Sequence, residues 1–181
     1  MTDKRALLTD SALQLFYEKG INSVGINEVL KVSGVAKKTL YNHFDSKEAL
    51  VLATLEARDQ IFLGWLAKRL SEASSNAELV EALFASLTDW FNSRVPELPP
   101  FRGCFFINSS IECGETSKAV SIYCQTHKAK VRELIENQLA EPNASLLDAL
   151  CLLKEGAIVS AYVSQDLEAA NKAVPLAMAF V

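Results

Sequence analysis

Leu8, Ala12, Leu15 and Phe16 fall at i, i+4, i+7 and i+8. That single apolar stripe predicts an amphipathic helix over residues 3–19, with Gly20 as its stop. A shorter helix is predicted to open near Gly25 and to end in a tight turn at Ser33, Gly34 and Val35, where glycine enters a left-handed conformation without steric cost. In the next short helix Ala36, Leu40 and Phe44 recur every fourth residue and are expected to face inward. Lys37, Lys38, Tyr41 and Asn42 then fall on the opposite side.

Asp45 followed by Glu48 has the form of a capping box, predicted to open a long helix through about residue 71 with Leu50, Leu55, Phe62, Trp65, Leu66 and Leu70 among its apolar positions. The polar run 71–76 reads as a loop, with Asn76 expected to cap a helix that carries Leu79, Leu83, Phe84, Leu87, Trp90 and Phe91. Pro96, Pro99 and Pro100 end it. A short helix within 101–114, a long one over 117–140 and two apolar segments, 146–163 and 167–181, complete an all-α chain without strand pattern or internal repeat. The last two segments are rich in small residues, including Ala157, Ala161, Ala169, Ala170, Ala173 and Ala177, which allow close helix contact. Pro175 is expected to kink the last one.

Half of the 181 residues are hydrophobic and glycine and proline are scarce, so a packed core is expected rather than disorder. No apolar stretch has the length of a membrane span, and the first residues lack a signal peptide's apolar core. A cytoplasmic protein without membrane association is the expectation, its four cysteines reduced and none in a CxxC pair. Net charge −4 argues against a generic nucleic-acid binder. The first fifty residues nevertheless hold seven cations against six acids, leaving the acidic excess to the rest. No phosphate-binding glycine loop, GxSxG or HExxH occurs, so no catalytic residue and no cofactor are expected. Cys124 and His127 stand at i and i+3 with Cys113 not far off in sequence, but zinc needs three or four converging ligands and the chain has two histidines; no metal site is expected.

Two cations, a phenol and an amide on one helix face are the inventory for touching phosphates and base edges. A solvated polar face would show the same two lysines, so the surrounding residues decide. Leu15-Phe16, Gly20, Gly34-Val35, Thr39-Leu40-Tyr41, His43-Phe44, Ser46-Lys47-Glu48 and Leu50 reproduce, at fixed spacing, the pattern of the DNA-binding domain of TetR-family transcriptional regulators. The segment resembles that family sharply over the first quarter of the chain and only in architecture beyond it. The resemblance implies a three-helix helix-turn-helix head over residues 1–46 and a helical ligand-binding and dimerisation body over 47–181. It places Lys37, Lys38 and Thr39 near the groove of a double-stranded operator, and Tyr41, His43 and Lys47 on phosphates. Asn27, early in the preceding helix, is within reach of a base or the backbone. The family often has glycine at position 38 and an aromatic residue at 42, so Lys38 and Asn42 imply a different operator.

The resemblance further implies a homodimer built by the last two helices, and repression relieved by a small, apolar effector of unknown identity. The body's aromatic residues are core by default, and Phe62, Trp65, Phe84, Trp90, Phe105 and Tyr123 are the candidates for lining an effector pocket. Rival readings are a ligand-independent DNA binder or activator, a redox or electrophile sensor acting through Cys104, and a helical enzyme or carrier that retains the head. Cys104 follows Arg102 and Gly103 at the start of a short helix, where a helix dipole and a nearby cation lower a thiol's pKa; Phe105 and Phe106 favour plain packing instead.

Overall fold

The computed structural model describes residues 3–181. Among them run α1 (Lys4–Lys19), α2 (Ile26–Ser33), α3 (Lys37–His43), α4 (Lys47–Leu70), α5 (Asn76–Phe91), α6 (Phe105–Cys113), α7 (Lys118–Glu136), α8 (Ala144–Val163) and α9 (Ala169–Met178), with no strand among the described residues. The helix ends have local causes. Asp3 Oδ1 accepts the N–H groups of Arg5 and Ala6 at 2.9 and 3.3 Å, capping α1, and Gly20 closes it at φ 89°.

Several caps differ from the sequence reading. Ser46, not Asp45, receives the Ala49 N–H (3.1 Å) at the start of α4, and the Glu48 carboxylate is engaged instead by the Ser117 hydroxyl. Ser75 caps α5 by accepting the Glu78 N–H at 3.2 Å. Asn76 lies inside the first turn and clasps the chain after α7, accepting from the Ala140 N–H and donating to the Glu141 carbonyl, both at 3.0 Å. With that clasp α7 ends at Glu136, ahead of the expected residue 140. Ser117 precedes α7 as its cap, accepting the Val120 N–H at 3.1 Å.

Two compact units make up the chain. The first comprises the residues up to Gln60 together with Cys104–His127; the second comprises Ile61–Gly103 and Lys128–Val181. The first unit buries Leu8, Ala12, Phe16, Val29, Leu40, Leu50 and Leu55 around α1. The second packs α9 against α5 and α8. Ala170, Ala173 and Ala177 on α9, and Ala157 and Ala161 on α8, are buried within this unit. The small residues therefore serve close packing inside the protomer. Pro175 sits within α9 on its exposed side, where α9 continues three residues beyond it. The same unit holds a chain of rings: Phe62 on Trp90 (5.3 Å), Trp90 on Phe101 (5.0 Å) and Phe91 on Phe101 (4.9 Å). Each such ring removed from water contributes roughly 1.5–3 kcal/mol. No helix among the described residues is long and apolar enough to cross a membrane.

Candidate nucleic-acid interface

The site is built on α1, α2 and α3, which pack on one another. Gly34 ends α2 in the left-handed region (φ 65°) and returns its N–H to the Leu30 carbonyl at 3.0 Å, which turns the chain sharply into α3. Val35, Leu40 and Phe44 are buried and anchor α3. Ala36, expected inward, is exposed instead: it is the residue before the first turn of α3, and Val35 takes the inward place.

Beyond that anchor the opposite face of α3 is open. Lys37, Lys38, Asn42 and His43 are exposed, Tyr41 is 45% exposed, and Thr39 is half-buried. Asn27 is exposed on α2. These seven side chains share one pair of short helices, and together they offer cationic, amide, hydroxyl and phenol donors to an anionic backbone. Lys47 differs. Its ammonium donates to the Ile21 carbonyl at 2.6 Å and lies 5.8 Å from the Phe16 ring centroid, which commits one of its three donors to fastening α4 to the α1–α2 turn. A cation that the sequence reading passed over is Arg5, whose guanidinium lies 5.2 Å over the Phe44 ring beside the end of α3. Nothing in the spacing of Arg5 and Phe44 signals that contact; only the fold reveals it.

Residues 8–54 match the family described as bacterial regulatory proteins, tetR family. A TetR-family transcriptional regulator from Streptomyces coelicolor has the same fold over 99% of this chain and 88% of its own, with a TM-score of 0.83 and 26% identity. The first quarter of this chain therefore matches the DNA-binding segment of that family, and the whole chain has the fold of one of its regulators. The HTH-type regulator YuxN of Bacillus subtilis is 42% identical over 55 residues, 30% of this chain and 19% of YuxN. The chain therefore matches about a fifth of that relative's length. A cysteine mutant of the TetR-family regulator CifR, solved with double-strand operator DNA, shares the fold at 20% identity and a TM-score of 0.78, over 98% of this chain and 96% of that one.

The remaining candidates are dispersed. Phe62, Trp65, Phe84 and Trp90 belong to the second unit, and all four are buried. Phe105 and Tyr123 belong to the first, Phe105 buried against Tyr17 (6.1 Å) and Tyr123 half-buried with its hydroxyl 3.5 Å from Asp59. Burial, together with the Asp59 carboxylate, pushes the Tyr123 phenol up to about 12. Cys104 is the buried residue preceding α6, and Arg102 is exposed. His127, paired in the sequence reading with Cys124, turns its Nδ1 to Asp59 Oδ1 at 2.7 Å instead. No group of three metal-ligating side chains occurs among the described residues.

Proposed function

We propose that this TetR-family protein is a repressor that binds a near-palindromic operator as a dimer and releases it when a small effector enters the helical body, residues 47–181. The observation that carries the DNA reading is the exposed face of α3, where Lys37, Lys38, Tyr41 and Asn42 stand clear of the buried Val35, Leu40 and Phe44. Each protomer would lay α3 in one major groove, with half-sites about one helical turn apart. Lys37, Lys38, Thr39 and Asn42 would face the bases, Tyr41, His43 and the spare donors of Lys47 would face phosphates, and Asn27 would contact either. Effector binding would favour a head separation that no longer fits, a shift between pre-existing states. Selection of binding sites from random duplexes tests this reading. The expected product is a two-fold symmetric site bound by two protomers; selection of no consensus would refute it.

A second reading, thiol sensing through Cys104, draws support from Arg58. This buried guanidinium lies close enough to Cys104 for the two groups to interact, which sets the cysteine beside a cation. Alkylation of the native protein separates the readings: the sensor requires Cys104 to react before Cys113, Cys124 and Cys151 and to lose operator binding when modified.

A further inference from the structure

Arg58 closes a circuit of side-chain contacts across four helices of the first unit. Its guanidinium lies 4.7 Å over the Tyr17 ring on α1. Tyr17 meets Phe105 on α6 edge-on at 6.1 Å, and Phe105 meets Phe106 at 6.3 Å. The Phe106 ring stacks on His127 of α7 (3.4 Å between centroids, 7° between planes), and His127 returns to Asp59, the neighbour of Arg58 on α4. A polar group inside such a circuit must find its partner there, because water is excluded.

Two do not. Arg58 is 4% exposed, and its Nε has no hydrogen-bond partner among the described residues. Ser109 is fully buried on α6, one turn beyond Phe105 and Phe106 and so on their face, and its Oγ is likewise without a partner. The ionisable groups beside Arg58 are the Tyr17 phenol and the Cys104 thiol, neither a carboxylate, and burial pulls its pKa below the ordinary arginine value. Asp59, the nearest acid in sequence, is engaged by His127 and Tyr123. A buried cation without an anion is costly, and a guanidinium keeps its charge rather than losing a proton.

We propose that this circuit is the effector site, and that its ligand is a small organic carboxylate. The carboxylate would pair with the Arg58 guanidinium and take the Ser109 hydroxyl as a second donor, while its apolar body lies among Tyr17, Phe105 and Phe106. A planar monoanion matches both the single charge and the forked donors of arginine. This rests on the reading of the protein as effector-responsive, extends the site from residues 47–181 to Tyr17 of α1, and replaces a wholly apolar effector with an anionic one.

The test uses the full chain with acetate, hexanoate and benzoate, each beside its neutral amide, and reads thermal stability and operator affinity separately. At least one carboxylate is expected to raise the melting temperature while its amide does not. Ser109→Ala, which keeps the shape of the site, should weaken that response about tenfold, the effect of one hydrogen bond to a charged group. Arg58→Met should abolish it, and should leave the unliganded protein as stable as the parent or more so, since an uncompensated buried charge is gone. Equal effects of acids and amides, no effect of any acid, or a full response in Arg58→Met would each overturn the site. A carboxylate that stabilises the protein and leaves operator affinity unchanged would overturn its role as effector; absence of operator binding without any carboxylate would instead refute the DNA reading.

Discussion

Asn22 and Glu112, ninety residues apart, are joined by two hydrogen bonds. The Asn22 backbone N–H donates to the Glu112 carboxylate at 2.8 Å, and the Asn22 side-chain amide donates to the Glu112 backbone carbonyl at 2.9 Å. The last turn of α6 therefore grips the turn between α1 and α2. Gly20 in the same turn makes room for that grip: a Cβ there would stand 3.1 Å from the Glu112 carboxylate, at a φ of 89° that side chains avoid. Close by, the Ser117 hydroxyl engages Glu48 in the first turn of α4. These contacts link α6 directly to the turn between α1 and α2 and to the first turn of α4.

Removing the Glu112 carboxylate should loosen the turn. Glu112→Ala is expected to cost about 1–2 kcal/mol, as a hydrogen bond to a charged acceptor in a partly exposed site. Amide exchange at residues 20–24 should accelerate while α5 and α8 keep their protection. Unchanged exchange at Asn22 would mean that the grip contributes nothing in solution.

On the reading face, Lys37→Ala and Tyr41→Ala should each weaken operator binding by about tenfold or more without lowering the melting temperature, because both side chains are exposed and support no core. If Lys37 meets a phosphate, its loss should also reduce the dependence of log affinity on log salt by about one. Lys47→Ala is a poorer probe. Its ammonium holds the Ile21 carbonyl, so the variant should lose stability as well as affinity. Parental binding by both Lys37→Ala and Tyr41→Ala would remove α3 as the recognition helix.

The sequence made the helices and the exposed polar face of α3 legible because both rest on local signals: apolar spacing, a left-handed glycine, and a polar face set against buried Leu40 and Phe44. Caps were legible only in kind. Asp45, Ser46 and Ser75, Asn76 are adjacent pairs of good capping residues, and which member caps depends on where Glu48 and Asn76 find tertiary partners. The circuit around Arg58 was not legible at all. Its members come from α1, α4, α6 and α7, and no spacing within one helix marks Arg58 or Asp59 as buried.

The small residues of α8 and α9 illustrate the same limit, with a practical result for dimerisation. Ala161 is 1% exposed within the protomer, so glutamate there would disrupt α8 packing and reveal little about assembly. Outward apolar positions include Leu152, Val159 and Val163 on α8, at i, i+7 and i+11, with Leu176 on α9. Such a face fits a two-fold contact between like surfaces. Leu152→Glu and Val163→Glu, at positions 75% and 73% exposed, should leave the helical signal and melting of the monomer intact and shift sedimentation from dimer to monomer. A parent chain that sediments as a monomer at high concentration would remove the dimer from the proposal.

Glu155 makes stability in the second unit depend on pH. Its carboxylate accepts from the Lys128 ammonium at 2.9 and 2.7 Å and from Lys154, which is 4% exposed. Burial by itself would raise the carboxyl's pKa, but Lys154 and Lys128 together outweigh it and hold the group below its ordinary value. The unfolded chain therefore takes up a proton at higher pH than the folded one. The pair's contribution is complete above the ordinary glutamate pKa of about 4.3 and is lost as pH falls through the lower folded value. Glu155→Gln should destabilise the protein at neutral pH by roughly 2 kcal/mol, since it leaves the buried Lys154 ammonium with a neutral partner. Because the variant lacks the carboxyl, its deficit should shrink on acidification, and the two stability curves should converge below the folded pKa. Urea unfolding of parent and variant between neutral pH and about pH 3 reads this directly. Parallel curves would show that Glu155 does not set the acid response, and that the ammonium groups of Lys128 and Lys154 are satisfied without its charge.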